Sequence, residues 1–178
     1  MTPATQSKRI LLAIDDSPAA QRALQYVGEI TGSGSGFHVD LYHRLPALPP
    51  ELREHGGSEI PARETELGRQ LSQRIAEWVA SLKMELEPRL ETCKQGLVEY
   101  GVSSGSISFC IDEDVFPGET LADALRRVAR ERKCHTIAVA REHVPIVYGI
   151  EEGDILPPHH TGDELVREGA GFTVWVIG

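Results

Sequence analysis

Several residue groupings in the sequence are of types that do chemistry. Asp15-Asp16 closes an apolar run, and paired carboxylates suit acid–base work. Adjacent residues at the end of a strand point to opposite faces, however, so the pair does not form a dyad. Asp112-Glu113-Asp114 has the oxygen ligands of a Mg²⁺ site beside a nucleotide; the simpler reading is a solvated acidic turn. His159-His160, with Cys134, His135 and His143 elsewhere, offers zinc-type donors. A zinc site needs three or four convergent ligands, and the spacing points instead to exposed histidines on a Pro157-Pro158 loop. Cys93, Cys110 and Cys134 form neither a disulfide framework nor a CxxC knuckle. No G-x-S-x-G elbow is present. No catalytic set emerges, so the expectation is a protein that is not an enzyme.

These residues are positioned by an alternation of strands and helices. Arg9 to Ile14 is a continuous apolar run, the signature of a strand buried on both faces of a parallel sheet. Asp16 or Ser17 caps the helix that follows, with Pro18 in its first turn. Ala20, Ala23, Leu24 and Val27 give that helix its inward stripe, and Thr31 to Gly36 ends it. A second strand runs from Phe37 to Leu45 and is stopped by the Pro46–Pro50 cluster. Apolar residues then recur at three- and four-residue steps from Leu67 to Leu97. This predicts one long amphipathic helix, or two stacked ones with a break at Pro88. The stripe faces the core, with part of it free to meet a partner.

Ser106 to Ile111 reads as a third strand. Thr120-Leu-Ala-Asp123 is a capping box opening a third helix, and His135 to Ala140 is a fourth strand. Residues 141–160 are loop-rich. Thr161-Gly-Asp-Glu164 reads as a second capping box for a short helix to Glu168, and Phe172 to Ile177 is a fifth strand. The predicted architecture is α/β: a parallel sheet with helices on both faces in one domain spanning residues 1–178. Ligands of such sheets bind in the crevice at the carboxyl ends of the strands, where strand order reverses.

The chain has 178 residues, a net charge of −9, and 40% hydrophobic and 25% charged residues. That charge argues against nucleic acid or an anionic membrane as main partner, since both demand clustered cations. Met1 to Lys8 has no apolar stretch of the secretory kind, and no run approaches the ~20 apolar residues of a membrane span. The expected location is the cytoplasm.

Ile10-Leu-Leu-Ala-Ile-Asp15-Asp-Ser17 with its Ala-rich helix, Leu41-Tyr-His43, and Gly118-Glu-Thr-Leu-Ala-Asp-Ala-Leu125 together resemble the universal stress protein family. The resemblance implies a Rossmann-like, adenine nucleotide alpha hydrolase-like sheet of five strands in the order 3-2-1-4-5. It also implies a homodimer through the last strand and a role in stress tolerance. ATP-binding members carry G-x2-G-x9-G-[ST] after the fourth strand, where glycines let backbone N–H groups reach the phosphates. Here the first two glycine positions fall on Ala140 and His143. The last pair falls on Gly153-Asp154 at the family spacing, or on His160-Thr161 if the loop is seven residues longer.

By the same resemblance Asp15 faces the adenosine moiety, with Ala13 and Ile14 beside it. Arg44 takes the position whose backbone meets adenine, and Thr161 supplies a hydroxyl. The residues alone also allow Asp15 to be a helix-entry acid. The expectation is weak or no ATP binding, no other cofactor and no metal. Two functions follow from it. One is a non-catalytic dimer acting through protein partners in the stress response. The other is a sensor whose rebuilt loop, with Arg44, Arg141 and His143, takes a different anion.

Overall fold

The computed structural model describes residues 8–34, 36–54, 57, 59–114, 118–141, 161–168 and 171–178. Its strands are β1 (Lys8–Ala13), β2 (Phe37–Arg44), β3 (Ile107–Asp112), β4 (Thr136–Ala140) and β5 (Thr173–Ile177). Its helices are α1 (Pro18–Gly32), α2 (Pro61–Glu99), α3 (Leu121–Glu131) and α4 (Thr161–Glu168), with short 3-10 turns at Pro50–Leu52 and Ser104–Ser106. The sheet order is β3-β2-β1-β4-β5, as expected, and β1 pairs in parallel with both β2 and β4.

By compactness the chain divides into two units. The first comprises Met1–His43, Cys93–Cys110 and Glu119–Gly178. Its centre is the β1 run Ile10, Leu11 and Leu12, each at most 1% exposed. On one face Leu11, Tyr42, Ile137 and Val139 join Ala122, Leu125, Val128 and Ala129 of α3 and Leu165 of α4 in one apolar cluster. On the other face α1 covers β4 and β5, and the rings of Tyr26 and Trp175 meet edge to face at 6.5 Å. α1 begins as its sequence dictates: Ser17 Oγ accepts from the Ala20 N–H, and Pro18 occupies the first turn. Near its other end, a side chain at Gly32 would lie 1.7 Å from the Tyr100 carbonyl oxygen, so only glycine admits this approach.

The second unit comprises Arg44–Thr92 and Ile111–Gly118. Within it Leu45, Leu48, Leu52, Leu86 and Leu90 are buried. The Leu45 N–H donates to the Asp112 carbonyl, and Lys83 Nζ meets Glu113 Oε1 at 2.6 Å.

Between the two expected forms of the long segment, the structure has one helix, with Pro88 inside it. Proline removes one N–H from the ladder and leaves the remaining turns intact. The stripe from Leu67 to Leu82 is half-buried, whereas Leu86, Leu90 and Leu97 are buried. The predicted capping box at Thr120 is present: Thr120 Oγ1 accepts from the Asp123 N–H. Thr161 differs from expectation. It is the first residue inside α4 rather than a cap, because the helix already includes it. No helix among the described residues is long and apolar enough to cross a membrane.

Candidate ligand crevice at the ends of β1 and β4

Strand order reverses between β1 and β4, which lie side by side with Ile10 level with Thr136 and Leu12 level with Ala138. Neighbouring strands whose connections leave in opposite directions open a crevice at their carboxyl ends. Ala13, Ile14 and Asp15 reach this end from β1, and Ala140 and Arg141 reach it from β4. Thr161 opens α4, which is seated against β4 and β5. A side chain at Gly162 would come within 2.9 Å of Val176 and 3.4 Å of Val139, so glycine lets the helix start lie directly on the sheet.

The predicted site residues other than His143 take definite places. Ala13 ends β1 half-buried. Ile14 is buried, its N–H donates to the Tyr42 carbonyl, and its own carbonyl lies 3.0 Å from His43 Nδ1. Asp15 is exposed, and its Oδ1 accepts from the Ser17 N–H at 2.8 Å. That bond is a turn preceding the helix cap, so one carboxylate oxygen serves the local fold. Arg44 closes β2, half-buried. Thr161 is half-buried. His143, and with it Glu152, Gly153, Asp154, His159 and His160, lies outside the described residues.

Ala140 is still within β4, level with Ile177, and the next N–H, that of Arg141, donates to the Ile177 carbonyl at 2.6 Å. A phosphate cradle needs free N–H groups at this point. The guanidinium of Arg141 stays exposed, 3.8 Å from Asp163 of α4.

The acidic turn departs from the sequence reading in one respect. Asp112 is the buried last residue of β3 and accepts from the Asp114 N–H, so only Glu113 and Asp114 are solvated. Among the described residues no group of three or more His, Cys, Asp or Glu side chains is arranged to hold a metal ion.

Sequence reasoning overlooked a polar centre at the opposite, amino ends of the strands. Asp40 of β2 is fully buried and accepts two-pronged bonds from Arg9 at 2.8–3.1 Å. Arg132 donates to it at 3.2 Å, the Ser108 hydroxyl at 2.5 Å and the Cys134 thiol at 3.6 Å. Burial alone would raise its pKa, but the Ser108 and Arg9 hydrogen bonds prevail and hold it below the usual range. Burial, then the same carboxylate, push Cys134 up to about 12, so this thiol stays protonated. The available signal was an acid in the middle of an apolar strand, which requires a cationic partner.

A second overlooked residue is Arg126, only 5% exposed. It reaches Asp123 at 2.8 Å, Glu168 at 2.7 Å and the Glu164 carbonyl at 3.2 Å, tying α4 to α3.

The chain's likeness to known proteins agrees with this architecture. A universal stress protein from Burkholderia pseudomallei superposes with a TM-score of 0.58 at 17% identity, over 98% of each chain. A universal stress protein solved in complex with cAMP gives 0.56 at 13% identity, over 97% of this chain and 98% of that one. One from Lactobacillus plantarum gives 0.51 at 16%, over 97% and 99%. No curated protein sequence matches the chain. The sequence model of the universal stress protein family matches residues 6–107, more than half of the chain. With the five-stranded order and the β1–α1 junction described above, the chain belongs to the universal stress protein family.

Proposed function

We propose that the protein is a non-catalytic, dimeric member of its family that binds ATP weakly or not at all and acts in the stress response through protein partners. The observation that carries the first part is the Arg141 N–H, which is committed to Ile177 where a nucleotide-binding loop would present it to a phosphate. Ala140 adds a side chain at the position where close backbone approach calls for glycine. The cytoplasm is the location that fits this reading. Isothermal titration with Mg-ATP tests it: no measurable heat is expected, and a dissociation constant in the low micromolar range would overturn it.

One observation favours a second reading, a sensor of a small anionic ligand. Arg141 presents an exposed guanidinium at the crevice, beside an α4 whose first residue is a threonine. The relative solved with cAMP shows that this fold accommodates a cyclic nucleotide elsewhere in the family. Mass spectrometry of material that co-purifies with the native protein separates the two readings.

A further inference from the structure

Five of the eighteen lysines and arginines of this acidic chain lie at one margin. Lys8 and Arg9 open β1, and Arg130, Arg132 and Lys133 occupy the end of α3 and the turn into β4. The His135 N–H of that turn donates to the Arg9 carbonyl at 2.8 Å, and Arg9 and Arg132 share Asp40, so the two segments are adjacent. His38, level with Arg9 in β2, completes the margin.

Two acids among the described residues of this margin, Asp40 and Glu131, are already engaged. Asp40 is fully buried between the arginines, and Glu131 faces Arg127 at 3.8 Å. Lys8, Arg130 and Lys133 enter no salt bridge among the described residues. Lys133, the residue after the Arg132 cap of α3, is also held at φ +56°, where the Cys134 N–H returns to the Ala129 carbonyl. Glycine is the low-strain occupant of that position, and here a lysine projects into solvent from it.

We propose that this margin is a docking surface for a short acidic segment of a partner protein. The proposal rests on the reading of the chain as one that acts through partners, and it names the surface and the chemistry. Nucleic acid fits less well. Duplex binders make about 6–10 phosphate contacts, whereas two of these five cations are already spent on Asp40. A long polyanion would also run past the margin onto a protein whose net charge is −9. A single phosphate fits less well too, because the cations do not converge. Neighbouring residues Lys8 and Arg9 project to opposite faces of the sheet, and Arg130 rests over the Phe172 ring at 5.8 Å. A peptide crossing the sheet margin meets them in succession.

The test is fluorescence anisotropy of a labelled peptide of glutamates spaced by Gly-Ser, titrated with the full-length protein. Binding is expected at low salt, weakening about fivefold or more as screening shortens the range of these charges. Lys8→Glu with Lys133→Glu should weaken it about tenfold at unchanged melting temperature. Arg63→Glu with Arg74→Glu, exposed positions on α2 with the same charge change, should alter it less than about twofold. Absence of binding at low salt, or an equal loss in the α2 pair, overturns the proposal. Displacement by millimolar inorganic phosphate would assign a small-anion site instead, and tighter binding of a single-stranded oligonucleotide would assign nucleic acid. Each of these results leaves the Mg-ATP titration untouched, so failure of the surface is distinguishable from failure of the underlying reading.

Discussion

The main-chain N–H of Arg141 donates to the carbonyl oxygen of Ile177, so β4 and β5 remain zipped one residue beyond the last residue of β4. Removing the side chain at the first family glycine position therefore does not create a cradle. Ala140→Gly is expected to leave Mg-ATP binding undetectable by calorimetry. A gain to micromolar affinity would show that the side chain, and not the spent N–H, was the obstacle.

Asp15 supplies an acceptor to Ser17 through one oxygen, which asparagine retains. Asp15→Asn should leave the melting temperature almost unchanged, while Asp15→Ala should cost about 0.5–1.5 kcal/mol through loss of that bond. Thermal unfolding of both variants decides it. Equal, large losses would mean that the carboxylate charge itself holds the fold.

Asp40 is the buried anion on which two guanidiniums converge. Asp40→Asn leaves those cations, each about one third exposed, without their counter-charge and disrupts charge-assisted hydrogen bonds, a cost of about 1.5–3 kcal/mol. Arg9→Met should cost less, because Arg132 remains. Urea denaturation of the two variants gives the comparison, and a smaller loss for Asp40→Asn than for Arg9→Met would contradict it.

His38 is expected to contribute to the loss of stability on the acid side. Burial, then the neighbouring Arg9, lower its pKa below 6.5 despite the opposing pull of Asp40. The folded state thus prefers the neutral ring. Its contribution is fully present above pH 6.5 and is lost as pH falls through the depressed folded value. His38→Gln should flatten the decline of melting temperature in that window. An unchanged slope would place the acid sensitivity elsewhere.

β5 lies at the sheet edge. The Thr173 N–H donates to the His135 carbonyl and the Ile177 carbonyl accepts from Arg141, so alternate residues face β4. Val174 and Val176 then direct their N–H and C=O groups outward. Two such edges related by a two-fold axis would satisfy each other. Light scattering should report a dimer for the parent and a monomer for Val176→Pro, which removes an outward donor and keeps the β4 ladder. A monomeric parent refutes the dimer, and a dimeric variant moves the interface elsewhere.

Much of the architecture was legible in the order of residues. The apolar run Ile10–Ile14, the capping Ser17 and Thr120, and the helical step from Leu67 to Leu97 act within a few residues of themselves. Local patterning suffices for such features, and together with the family resemblance it gave the sheet order. The same patterning cannot say what an N–H meets across a sheet. That Arg141 is spent on Ile177 depends on the register of β4 against β5. Asp40 finds Arg9 and Arg132, 31 and 92 positions away, only because β1 and β2 begin at the margin where the α3–β4 turn lies. Thr161 reads as a cap in sequence and lies within α4, which Gly162 lets rest against Val176 and Val139. Short-range stereochemistry and side-chain periodicity are written in the chain itself; hydrogen-bond partners and charge pairs distant in sequence exist only once the strands are in register.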